Sequence, residues 1–119
     1  MDSIKEAAKI VKEFCEARDW DQYHNPKDLA IGLSTEANEL LDIFRFQSQE
    51  DMDQIMSDPA KREEVSQELG DIFFFLLRFA QMNHFDLFEA LQDKVKLNDR
   101  KYPVEKAKGK NYRYKDLQH

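Results

Sequence analysis

The sequence predicts an all-α, four-helix bundle-like domain that assembles into oligomers. Only three Gly and three Pro interrupt 119 residues of which 35% are charged and 41% apolar, a composition of mostly helix with few breaks. Apolar residues recur at three- and four-residue spacing in the predicted helices. The third helix is apolar on nearly every side, which a domain of this size cannot bury alone. A homodimer or homotetramer is the expected result.

The elements follow in order. Asp2 or Ser3 caps a first helix, in which Ile4, Ala7, Ala8, Val11, Phe14 and Cys15 form the apolar stripe as far as about Arg18. The segment from Asp19 to Pro26 mixes Trp20, Tyr23 and His24 with turn formers, and Pro26 suits the first turn of a second helix running to about Phe46. Such an aromatic loop either stacks on a planar ligand or plugs the end of the bundle. Residues 47–58 are polar and acidic, with Met52, Ile55 and Met56 hinting at a short turn, and read as a connector or flap. Pro59 opens the third helix, Ala60 to Met82. His84 is a turn residue, Asp86 caps a fourth helix carrying Leu87, Phe88, Ala90, Leu91 and Val95, and Pro103 breaks it after Tyr102. The basic tail, 104–119, lacks apolar periodicity and is expected to be less ordered, within a single domain spanning 1–119.

Two acidic signatures organise this frame: Glu36-x-x-Glu39 on the second helix and Glu68-x-x-Asp71 on the third. Residues three apart share a helix face, so each pair sets two carboxylates side by side. At about 100° per residue, Leu33, Leu40 and Phe44 lie near Glu36, and Val65, Ile72 and Leu76 near Glu68. Acid pairs of this spacing are common on an acidic chain, and Glu13/Glu16 and Glu50/Asp53 are others. What distinguishes these two is their repetition on two helices beside core positions. Four carboxylates at a half-buried seam repel one another unless cations sit among them, and Mg²⁺ is the simplest resolution.

A net charge of −6 disfavours binding to polymeric nucleic acid. The longest apolar stretch, Ile72 to Leu77, is far too short to span a membrane. A lone cysteine, Cys15, excludes an intrachain disulfide and fits a reducing compartment; with no signal-like start, a soluble cytoplasmic protein is expected. Each of the three histidines lacks a Glu three places before it, so the Glu-x-x-His pattern of di-iron bundles is missing.

The double acidic motif resembles the signature of the MazG-like, all-α nucleoside triphosphate pyrophosphohydrolases. The likeness extends to the dCTP pyrophosphatase branch through FCEARDWDQYHNPKDLAIGLSTEANELLDIF and through KVKLNDRKYP, where Lys94, Asn98, Lys101, Tyr102 and Pro103 match that branch. It implies that Glu36, Glu39, Glu68 and Asp71 hold Mg²⁺ bridging a nucleoside triphosphate. It further implies that Lys94, Asn98 and Arg100 or Lys101 face phosphates or sugar, with Tyr102 in the same run, and that Trp20 and His24 border the base. Water would attack the α-phosphorus, releasing pyrophosphate, with Glu39 chosen as the proton acceptor. The branch usually carries Trp and Tyr where this chain has Phe46 and Phe75; Phe46 still stacks, but Phe75 lacks the hydroxyl that could read a cytosine. A dCTP or modified-dNTP substrate is the first reading. A dUTPase-like or phosphoribosyl-ATP pyrophosphohydrolase activity is the second, and a non-catalytic helical oligomerisation module is the third.

Overall fold

The structure, a computed structural model, describes residues 2–111 and contains no β-strand among them. Its helices are α1 (Ser3–Ala17), α2 (Pro26–Phe44), α3 (Gln49–Ser57), α4 (Pro59–Asn83), α5 (Leu87–Lys101) and α6 (Val104–Ala107), with a single 3-10 turn at Asp21–Tyr23. The all-α expectation holds. The chain falls into two compact units that divide between His84 and Phe85.

In the first unit every α-helix begins on a side-chain acceptor for an orphan backbone N–H. Asp2 accepts from Ile4 and Lys5, Asn25 from Asp28 with Pro26 in the first turn, Ser48 from Asp51, and Asp58 from Lys61. α4 is the central beam. Gln81 at its C-terminal end donates to the Ala8 carbonyl at 2.9 Å, and Phe74 in its middle meets Phe14 edge-on at 5.9 Å, so α1 runs antiparallel to it. α2 is antiparallel on another side, since Gly32 meets Phe75 while Glu36 faces Glu68. Val11 and Cys15 from α1, Leu29 from α2, and Val65, Leu77 and Ala80 from α4 form the buried apolar core. Burial pushes the Cys15 thiol above its usual range, which keeps it inert. Leu69, Phe73 and Leu76, spaced four and three apart along α4, remain exposed on the outer side of the single chain. None of the described helices is long and apolar enough to cross a membrane.

Three boundaries depart from expectation. α2 stops at Phe44 because Arg45 turns extended and Phe46 takes a left-handed φ of 67°. The connector is a nine-residue helix, α3, nucleated by a reciprocal capping box between Ser48 and Asp51. At the other end Asp58 closes α3 and caps α4. Val104–Ala107 forms one further helical turn after Pro103, in a stretch expected to have little order; residues 112–119 of that tail lie outside the described residues. His84 is the expected turn residue, left-handed at φ 63°.

In the second unit, Asp86 accepts from the Glu89 N–H at 3.0 Å to start α5, and Tyr102 ends it by donating its N–H to the Asn98 carbonyl at 2.7 Å.

The two helical glycines of the first unit differ in sign. A methyl group at Gly32 would meet Phe75 Cδ1 and Cζ at 2.7 Å, whereas one at Gly70 meets nothing within 4 Å. Gly32→Ala is expected to destabilise by about 1–3 kcal/mol through overpacking. Gly70→Ala should stabilise by about 0.5–1 kcal/mol through reduced unfolded-state entropy. Urea titrations of the two variants check both signs, and loss of stability at Gly70 would reveal a second chain packed there.

Candidate functional site

Antiparallel packing of α2 on α4 turns the two acidic motifs toward each other. One carboxylate oxygen from each of Glu36, Glu39 and Glu68 lies within 4.8 Å of the other two. Glu36 and Glu68 are half-buried and Glu39 is exposed at the rim. Oε2 of Glu36 and Oε2 of Glu68 are sealed from solvent and have no hydrogen-bond partner. Buried polar atoms rarely go unpaired, and two acidic ones side by side are costly. The strain registers on Glu36, whose carboxyl is pushed up to about 7, first by burial, then by the adjoining Glu68 and Glu39 carboxyls and the charges of Glu39 and Asp71. An all-oxygen donor set with two sealed lone-pair sites is chemically suited to a hard divalent cation. Asp71, one turn beyond Glu68 and exposed, acts on Glu36 by charge but stands outside the 4.8 Å trio.

Next to the acids on α4 is Phe75, half-buried, its ring lying over Gly32 and meeting Phe74 edge-on at 5.5 Å. Phe46, by contrast, is 92% exposed, with the Arg45 guanidinium 5.0 Å from its ring centroid. Trp20 packs edge-on to Phe14 at 5.5 Å and to His24 at 6.1 Å, so Trp20 and His24 of the aromatic loop sit together where α1 ends.

Sequence reasoning missed what holds that loop. Arg78, 1% exposed, is buried among apolar neighbours on α4, and all three of its nitrogens are engaged. Nε donates to His24 Nδ1 at 2.8 Å, one terminal nitrogen donates to Gln81 Oε1 at 2.7 Å, and the other is ion-paired with Asp21. Burial, followed by the Arg78 charge and opposed by Asp21, lowers the His24 imidazole below its ordinary value. A signal was available: a lone cation inside the apolar run from Ile72 to Ala80 has to find partners or it cannot be buried.

The second unit carries its own candidates. Lys94, Asn98 and Lys101 are spaced four and three apart on α5 and share one face, while Arg100 falls on another. Asn98, Lys101 and Tyr102 are half-buried; Lys94 and Arg100 are exposed.

The sequence profile of the MazG-like family matches residues 31–117. The chain belongs to that family. Among relatives, the dCTP pyrophosphatase 1 of Bos taurus is 32% identical over 117 residues, covering 98% of this chain and 69% of that protein. Its Homo sapiens counterpart is 28% identical over 117 residues with the same coverage. Among solved structures, a pyrophosphatase from Archaeoglobus fulgidus is 33% identical with a TM-score of 0.80, over 87% of this chain and 94% of that one.

The perturbed carboxyl fixes the sign of a pH effect. Because Glu36 rises from 4.5 to about 7 on folding, the native chain holds a proton that the unfolded chain has lost. That stabilisation is complete below 4.5 and is lost as pH rises through about 7. The metal-free protein should therefore melt at a lower temperature above pH 7 than below pH 4.5 as far as this group is concerned, and Glu36→Gln should flatten the slope. Excess divalent cation should restore stability at the alkaline end, since binding requires the deprotonated acids. Thermal melts across this range, with and without cation, check all three expectations.

Proposed function

We propose that this protein is a Mg²⁺-dependent nucleoside triphosphate pyrophosphohydrolase acting on a deoxynucleoside triphosphate, dCTP first and modified dNTPs next. The observation that carries the reading is the pair of sealed, partnerless carboxylate oxygens within the Glu36, Glu39 and Glu68 trio. Membership in the MazG-like family, together with relatives named as dCTP pyrophosphatases, supports the same bond being cleaved. The geometry offers no comparable motive for a purely structural bundle, because there the repulsion among the acids would be a cost without return.

Glu36, Glu39, Glu68 and Asp71 would hold the ion. When bound, Mg²⁺ neutralises phosphate charge and acidifies nearby water. Glu36 and Glu68, fixed by burial, set the position of the triphosphate end of the substrate. Glu39, exposed at the rim, is the group able to take the proton as water oxygen bonds to the α-phosphorus. The bond from that phosphorus to the bridging α–β oxygen breaks, and pyrophosphate leaves with the electron pair. Phe75 lines the middle of the α4 face, and Trp20 and His24 border the base. Lys94, Asn98 and Lys101 on α5 are suited to phosphate or sugar, Arg100 less so by its face; Tyr102 follows them directly. Phe46, exposed just past the end of α2, presents its ring for stacking on substrate. Self-association as a homodimer or homotetramer is supported by Leu69, Phe73 and Leu76, each about half exposed and so worth roughly 1 kcal/mol if the remainder is covered. A cytoplasmic location is supported by the single, buried cysteine.

Incubation with each canonical dNTP, with 5-modified dCTP, and with phosphoribosyl-ATP, in Mg²⁺, tests the reading. The expected products are monophosphate and pyrophosphate, fastest from dCTP; dUTP or phosphoribosyl-ATP as the preferred substrate would favour the alternative activities. Glu39→Gln should lower kcat by about 10²-fold or more. Orthophosphate with a nucleoside diphosphate would contradict the assigned bond.

A further inference from the structure

The face of α4 that carries the acids continues past them. Glu68, Asp71, Phe75 and Arg78 are spaced three, four and three apart, so they line one side of the helix over about 15 Å. Carboxylates occupy one end of this line, an aromatic ring the middle, and a guanidinium the other end. At that last position Arg78 touches no acid of the motif. It reaches 54 and 57 residues back along the chain to His24 and Asp21 instead.

We propose that Arg78 is a positioning residue for the base end of the site: through its forked contacts it fixes His24 as the Nε2–H tautomer and clamps the Asp19–Asn25 loop, with Trp20, onto α4. The proposal deepens the function proposed above and rests on it for the identity of what binds there. The chemistry is restrictive. A guanidinium Nε–H can only donate, so the ring atom 2.8 Å away must be an unprotonated nitrogen. The neutral ring then carries its proton on Nε2, leaving His24 one polar atom to offer, a donor. Protonation of His24 would set an Nδ1–H against the Arg78 Nε–H and two cations side by side, which a 1% exposed arginine resists. Asp21 keeps the guanidinium charge balanced, and Gln81 ties it to α1 through the Ala8 carbonyl. The ligand matched to such a site is a base with a carbonyl or ring-nitrogen acceptor on the edge that meets His24. Lysine cannot substitute, because one ammonium does not present a planar fork to an imidazole, a carboxylate and an amide at once.

The experiment uses the full chain. Long-range ¹H–¹⁵N spectra of the wild-type His24 ring should show Nδ1 unprotonated and Nε2 protonated. In Arg78→Lys the ring should lose this bias, since a single ammonium cannot hold His24, Asp21 and Gln81 together. In steady-state assays with dCTP, Arg78→Lys and His24→Ala should each raise KM about ten-fold or more, with kcat altered less than about three-fold. The double variant should fall well short of the product of the two single effects, because both variants break the same Arg78–His24 hydrogen bond, while the Asp21 contact adds only to the Arg78 effect. Mg²⁺ affinity, measured with the metal alone, should not change. An Nδ1–H tautomer in the wild-type spectrum overturns the proposal without any variant having to fold. So do multiplicative KM effects in the double variant, or an Arg78→Lys loss that falls on kcat and Mg²⁺ affinity instead of KM. A wild type that hydrolyses no triphosphate would instead defeat the proposed function, while the spectrum alone still decides the ring assignment.

Discussion

Like charge gathered at the seam between α2 and α4 is the constraint on which the rest of the first unit depends. Oxygens of Glu36, Glu39 and Glu68 within 4.8 Å of one another push the helices apart, and one oxygen each of Glu36 and Glu68 is sealed without a partner. The scaffold has to oppose that push with contacts elsewhere along the same pair. Close approach of the helices at Gly32, where the Phe75 ring occupies the space a side chain would need, is one such contact. Leu29 and Val65, both buried, flank the acids at the two ends of the seam. Strain concentrated at a few polar atoms and compensated by packing around them is the usual signature of a functional site.

α4 brings these elements into one frame. It supplies half of the carboxylates, the ring over Gly32, the buried arginine that grips the aromatic loop, and the outer apolar stripe of Leu69, Phe73 and Leu76. One helix therefore fixes the distances between parts of the site that come from separate stretches of sequence. The 3-10 turn at Asp21–Tyr23 is too short to hold itself in place, and its conformation depends on Arg78 and on Trp20 packed against Phe14.

How much was legible follows from the range of the interactions. The four long helices could be read because periodicity and end signals are local: Asp2, Pro26, Pro59 and Asp86 all stand where the helices start. The convergence of three of the four acids was readable too, since repetition of the motif beside apolar positions reports on a shared interface; that Asp71 stands apart was not, because it depends on the turn of α4 against α2. The sparse apolar residues of α3 read as a connector or flap, although Ser48 and Asp51 spell a capping box. The clamp on His24 joins residues more than fifty positions apart, and no periodicity encodes such a contact. Phe46 and Phe75 stand out in sequence for the same reason, a missing Trp or Tyr, yet backbone geometry separates them: Phe46 follows the end of α2 in a left-handed conformation, Phe75 lies inside α4.

Asp58 closes one helix and opens the next, so no spare residue lies between α3 and α4. The heading of α3 is set by a single pair of backbone angles, φ −80° and ψ 121°, followed by a proline whose φ is itself restricted. The stretch joining the two acidic motifs is thus built as a bracket with a tight elbow, and residues of α3 and α4 on either side of that elbow line one groove with Ile43 and Gln47. Lengthening the chain at this elbow by even one residue would uncouple the bracket from the beam, whereas changes along the exposed side of α3 would leave the elbow as it is.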